Sequence, residues 1–140
     1  MATPLNAGVR QTKSRAERIV TSIEEAIDRF RRAAIEKGDF ASPPKRDHAL
    51  ARQMHKARRA LRNEGELGES AFRSLLMDES PHVRLWVSAE LLAAGDEGAK
   101  SVLEELARHE GLLGFNATAT LKEFNAGRLR PPFQEPEMES

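Results

Sequence analysis

Apolar residues recur at steps of three and four along nearly the whole chain, and glycine and proline fall between those runs. This pattern constrains the fold most, because a period of about 3.6 residues builds helices and does not suit a strand. The clearest run is Ala16, Ile19, Val20, Ile23, Ala26, Ile27, Phe30 and Ala34. Ser14 precedes it, with Glu17 three residues later, the spacing of a capping box. The spacing predicts a first helix from Ser14 to about Lys37, with Gly38 just past its end. Ala41-Ser42-Pro43-Pro44 then breaks the chain, since two prolines cannot continue a helix.

A second helix is predicted from Pro44 to Arg62, with Leu50, Met54, Ala57 and Leu61 as its apolar stripe. Asn63-Glu64-Gly65 ends it, and Gly68 continues the loop. A third, short helix runs from Glu69 or Ser70 to Met77 and buries Phe72, Leu75 and Leu76. Ser80 and Pro81 supply an N-cap and an N1 proline for a fourth helix, which reaches about Ala94. Its buried face includes Val83, Trp86, Val87, Ala89, Glu90, Leu91 and Leu92, and Gly95 stops it. A fifth helix spans about Glu97 to His109, with Ala99, Val102, Leu103 and Leu106 inward. Gly111 and Gly114 bracket a tight connection to a sixth helix, from Phe115 or Asn116 to Phe124, with Gly127 after it. The sixth helix is expected to bury Ala117, Thr120, Leu121 and Phe124.

No window shows strand alternation, so the expected class is all-α: about six helices in a short α–α superhelix of HEAT/ARM type. Residues 14–129 form a single helical domain in this reading. Residues 1–13 are a flexible lead-in, and 130–140 are a Pro/Glu-rich tail, mobile beyond Phe133. A faint repeat of period 28 sets Ala71, Arg73 and Leu75 against Ala99, Ser101 and Leu103.

The length of 140 residues suits one domain. The absence of cysteine excludes disulfides, thiolate catalysis and cysteine-based metal sites. No apolar run approaches the ~18 residues of a membrane span, and the N-terminus has no apolar core of a secretory signal. A cytoplasmic location is therefore expected, with no membrane partner. Net charge is zero, yet residues 1–62 hold 15 Lys and Arg against 7 Asp and Glu, and residues 63–140 hold the reverse. Two electrostatically distinct faces are expected, whether for a charged partner or for intramolecular attraction.

The segment from Asp78 to Leu92 combines an acidic turn, Pro81 at the helix start, Val83-Arg84 and the Leu91-Leu92 pair. It resembles the second helix of a HEAT repeat. Phe30 and Ala34, Pro81-x-Val83-Arg84-Leu85-Trp86, Val102 to Ala107, Gly111 to Phe115 and Thr120 to Glu123 extend the likeness. With these features, residues from about Ser22 to Leu129 resemble a small bacterial family known as domain of unknown function 2019. The resemblance implies a short α–α superhelix and carries over no catalytic residues. Families of this build commonly bind other proteins, and several small bacterial helical families act as immunity proteins for secreted toxins; that step is an analogy of fold.

Catalytic signatures are absent. There is no G-x-S-x-G elbow, no HExxH, no G-x-G-x-x-G and no P-loop. The carboxylate pairs Glu24/Glu25, Asp78/Glu79 and Glu104/Glu105 are adjacent, so on a helix they point about 100° apart and make no preformed acid–base dyad. Glu105/His109 and His48/His55 each share a helix face but have no third ligand at a diagnostic spacing. Neither enzymatic activity, a metal nor a cofactor is expected.

The second helix carries the strongest charge pattern. Arg52, Lys56 and Arg59 form one stripe, extended by Lys45, Arg46 and Arg62, with Arg58 among its basic residues and Asp47 opposing them. Such a stripe suits phosphates or an acidic protein, or is simply solvated; one Trp and no Tyr serve base stacking poorly. Trp86 reads as core or as an interface anchor, and Arg84 as a tie to Asp78 or Glu79.

The leading expectation is a non-catalytic protein-binding module, in its most concrete form an immunity protein that occludes a toxin. Asp78, Glu79, Glu104, Glu105 and the Glu135-to-Glu139 segment would face a basic partner, and Arg52, Lys56 and Arg59 an acidic one. The first helix carries apolar residues on more than one face, which leaves room for a homodimer or a partner helix. The alternative is a nucleic-acid-associated module using Lys45, Arg46, Arg52, Lys56, Arg59 and Arg62.

Overall fold

The computed structural model describes residues 14–39 and 43–133, and among them every regular element is helical. The six α-helices are α1 (Arg15–Asp39), α2 (Pro44–Asn63), α3 (Gly65–Ser74), α4 (Pro81–Ala93), α5 (Lys100–Leu106) and α6 (Gly111–Asn125). Short 3-10 turns at Leu75–Met77 and Glu97–Ala99 prolong α3 and lead into α5. The all-α expectation therefore holds. The lead-in at 1–13 and the segment beyond Phe133 lie outside the described residues.

Helix starts follow the expected chemistry. The Glu17 amide donates to Ser14 Oγ at 3.0 Å and the Ser14 amide donates to Glu17 Oε1 at 2.9 Å, a complete capping box. Pro44 opens α2 at its first turn. Ser80 caps α4 by accepting from the Val83 amide, with Pro81 at N1. Gly95 (φ 103°) and Gly127 (φ 76°) occupy the left-handed region just past α4 and α6, where a Cβ would be strained.

The core forms where the stripes meet. Ala26, Phe30, Ala33 and Ala34 of α1 are buried with Leu50, Met54, Ala57 and Leu61 of α2, and α1 and α2 form the most extensive helix pair. Helix α4 touches α1, α3, α5 and α6. It is correspondingly buried almost all round, with Val83, Leu85, Val87, Ser88, Ala89, Glu90, Leu91 and Leu92 all enclosed. Phe30 meets Phe72 edge-on, with ring centroids 5.3 Å apart.

Several expectations are corrected. Gly38 lies within α1, not after it, and His82 stands so close that a Cβ at position 38 would overlap its ring. Gly68 belongs to α3, not to a loop, and Gly114 belongs to α6, not to a connection. A Cβ at Gly68 would overlap the Leu61 carbonyl, and one at Gly114 the His109 carbonyl. Gly68 and Gly114 each let a new helix start against a carbonyl of the chain just before it. The period-28 repeat does not match the architecture, since Ala71 is in α3 and Ala99 in a 3-10 turn, while Leu75 is in a 3-10 turn and Leu103 in α5. Of the residues expected inside α6, Ala117 is buried, whereas Thr120, Leu121 and Phe124 are half-buried. Phe133 lies past the boundary set at 129, yet it is only 3% exposed and belongs to the core.

Candidate interaction surface

The basic helix divides into two groups. Arg58 was expected on a charged face, but it is buried: its side chain stacks on Phe72 (4.1 Å) and reaches two carboxylates. Arg58 Nη1 and Nη2 donate to Glu69 at 3.2 and 2.9 Å, and its Nε donates to Glu90 at 3.2 Å. Arg62 Nη2 also donates to Glu90, at 2.8 Å. Glu90 is fully enclosed, and its other oxygen accepts the Phe133 amide at 2.9 Å. A buried carboxylate is tolerable when charged and amide donors reach both its oxygens, and Glu90 has three such donors. Arg46 donates twice to Glu36 at 2.6 Å, which holds the Glu36 carboxyl below its ordinary value. Lys37 of α1 reaches Asp47 at 2.7 Å.

The stripe Arg52, Lys56 and Arg59 is exposed, as is Lys45. Lys56 joins Gln53, Glu25, Asp28, Arg29 and Arg32 along a groove of about 520 Å³ between α1 and α2. Carboxylates alternate with cations there, and Arg32 pairs with Asp28 at 2.7 Å. The groove is thus of mixed charge rather than uniformly basic.

The acidic candidates separate in the same way. Asp78 accepts from Arg31 Nε (2.7 Å) and Nη2 (3.2 Å) and from the Ser80 amide (3.0 Å). Burial pushes its carboxyl up, but the Arg31 hydrogen bond, the Ser80 amide and the charges of Arg31 and Arg84 outweigh that and hold it below the ordinary value. Asp78 is therefore a structural clamp between α1 and the turn before α4. Glu79, Glu104 and Glu105 are exposed. A separate groove is lined by Arg73, Met77, Gly98 and Ser101 and by none of these carboxylates, and Met77 is 84% exposed. Arg84 ties to this turn as expected, donating to the Asp78 and Glu79 carbonyls at 2.6 and 3.3 Å.

A feature not singled out in the sequence lies at the start of α6. Leu112 and Phe115, one turn apart, are 73% and 69% exposed. Leu112 borders a cleft of about 180 Å³ whose walls include Lys37, His82, Leu85, Trp86, Leu113 and Asn116. Trp86 is half-buried, with its ring 5.7 Å from Phe133 and Lys37 Nζ 5.7 Å from its centroid. The signal is present in the sequence as Gly-Leu-Leu-Gly-Phe, where the two glycines read as a connection although they belong to the first turn of a helix. Among the described residues, no carboxylate lines this cleft.

His48 and His109 are exposed and His55 packs edge-on against Phe133 at 5.3 Å. Among the described residues, no group of three or more His, Asp or Glu could hold a metal ion. No described helix is long and apolar enough to cross a membrane. No protein-family model, curated protein or solved structure matches the chain.

Proposed function

We propose that this protein is a non-catalytic protein-binding module that docks its partner on the first turn of α6 and the adjoining cleft. The observation that carries this reading is the exposure of Leu112 and Phe115 beside the cleft containing Trp86. Large apolar side chains next to a partly open tryptophan are the usual makings of an interface centre. The cleft is walled by Leu85, Trp86, Leu112 and Leu113, and its Lys37 already pairs with Asp47, so a partner segment with apolar anchors fits it. An immunity protein occluding a toxin is the concrete form of this reading, in line with the likeness to HEAT-type helical families. The corner Glu-Gly-x-Leu-Gly supports that likeness: it occurs at 64–68 and again at 110–114, 46 residues apart, and HEAT-type repeats span about 40–47 residues.

The test is a pull-down of the tagged chain from its native cells, with and without nuclease, beside a Leu112→Ser/Phe115→Ser variant. One protein recovered in near-equal amount by the native chain in both lysates, and lost from the variant, is the expected result. Recovery that collapses with nuclease and survives the double substitution would instead favour the nucleic-acid reading and the stripe Arg52, Lys56 and Arg59.

A further inference from the structure

Helix α2 turns a line of cations outward, with no large apolar side chain on it. At 100° per residue, Lys45 and Lys56 stand about 20° and 40° round the axis from Arg52, while the core residues Leu50, Met54 and Leu61 stand about 160–200° away. Lys45, Arg52 and Lys56 are therefore the outermost line of the helix, and all three are exposed. They span about 16 Å along the axis at 1.5 Å per residue. Other basic residues of α2 are engaged: Arg46 with Glu36, Arg58 with Glu69 and Glu90, and Arg62 with Glu90. Arg59, on the same line, has an interaction of its own and is not counted with the three. Among the described residues, Lys45, Arg52 and Lys56 make no ion pair. Helix α2 exposes no carboxylate, since its one acidic residue, Asp47, is half-buried and holds Lys37 at 2.7 Å.

The chemistry of this line selects its ligand. The exposed large apolar residues Val20, Leu67, Met77, Leu112 and Phe115 all lie on other elements. A protein interface is centred on apolar or aromatic anchors, so the line does not suit a protein as the α6 surface does. Phosphates along a nucleic acid need only spaced cations, and about 16 Å covers about five phosphates of one duplex strand at about 3.4 Å each. Helix α2 has no Phe or Trp on which a base could stack, so contact is with the backbone and carries no sequence preference. Toward α1 the charges are mixed, because Lys56 shares its groove with Glu25 and Asp28 as well as Arg29 and Arg32. The anion therefore lies along α2 and not in that groove. We propose that Lys45, Arg52 and Lys56 form a second binding site, separate from the α6 surface, that takes the phosphate backbone of a nucleic-acid duplex.

The test titrates the full chain with short random-sequence duplex DNA, and in parallel duplex RNA, read by the anisotropy of a dye on the duplex. Three phosphate contacts predict an affinity that falls roughly 40-fold between about 50 and 200 mM salt. Arg52→Gln/Lys56→Gln leaves one contact, so the same rise in salt should cost only about 3-fold. Arg108→Gln/Lys122→Gln removes as many exposed cations from other elements and should leave affinity and salt dependence unchanged. All these positions are exposed, and an unchanged urea midpoint confirms that each variant is folded. Binding of either duplex with this pattern supports the proposal, and the tighter one names the source of the phosphates. No binding at low salt overturns it. So does an equal loss in the two double variants, which would reduce the effect to net charge. Binding to poly-glutamate but to neither duplex assigns the line to an acidic protein and overturns it equally.

Discussion

Asp78 is an acidic residue that sequence reasoning offered to a partner and that folding uses for itself. Its carboxylate joins Arg31 across 47 positions of sequence and holds the turn before α4 by accepting the Ser80 amide. The side chain is 10% exposed, so the pair is shielded from water and from salt more than a surface bridge is. The folded carboxyl sits below its ordinary value, and an unfolded Asp titrates near 3.9. The unfolded chain therefore takes up the proton first as pH falls. Stability from Asp78 is complete above about pH 4 and is lost as pH drops through the lower folded value. Asp78→Asn should cost about 1–3 kcal/mol at neutral pH, the range for charged hydrogen bonds. The gap to the native chain should close on the acid side, as read by urea unfolding over a pH series. A gap unchanged at the lowest pH that still folds would mean that the carboxylate charge is not what Asp78 contributes. Glu90 makes the complementary point. The helical stripe marked position 90 as inward, and the structure supplies the reason a carboxylate survives there: Arg58, Arg62 and the Phe133 amide converge on it.

At the scale of elements, glycine was both the best guide and the main source of error. Positive φ at Gly95 and Gly127 ends helices where the sequence said they end. Gly38, Gly68 and Gly114 serve closeness instead, each admitting a neighbour into the space of its missing Cβ. A single sequence cannot separate these uses, because both leave a glycine near a helix end. The difference lies in what stands opposite: a His82 ring for Gly38, a carbonyl for Gly68 and Gly114. This contact gives a test with a sign. Gly38→Ala should destabilise by about 1–3 kcal/mol through overpacking against His82. In a His82→Ala background the same change should cost nothing, since the obstacle is gone and alanine is the better helix former. A cost that persists in that background, read from urea midpoints, would place the strain in the backbone of α1 and not in the side-chain contact. The stripes of α1 and α2 were legible because amphipathic periodicity survives any detail of packing. The exposed start of α6 was not, because Leu112 and Phe115 become a surface only once Gly111 opens the helix.

For the whole molecule, the opposite charges of the two halves have a partial internal explanation. Arg31–Asp78, Arg58–Glu69, Arg58–Glu90 and Arg62–Glu90 all join a cation before residue 63 to a carboxylate after it. The halves are charged oppositely in part because they are bound to each other. The deepest of these links closes on the last described residue. Pro131 and Pro132 made the C-terminal stretch look like a tail, yet prolines also fix φ, which lowers the entropy lost when the segment docks. Phe133 then fills a site against Phe30, His55 and Trp86 that would otherwise stand open above Glu90. Phe133→Ala should cost about 3–5 kcal/mol, as for other buried phenylalanines. The chain has one tryptophan, and its ring borders Phe133, so the emission of Trp86 should shift to the red in the same variant while helical content holds. Unchanged stability and emission would mean that residues 130–133 add nothing to the domain and that its boundary belongs at 129. Loss of both would make residues 130–133 part of the fold, with Phe133 closing the core above Glu90.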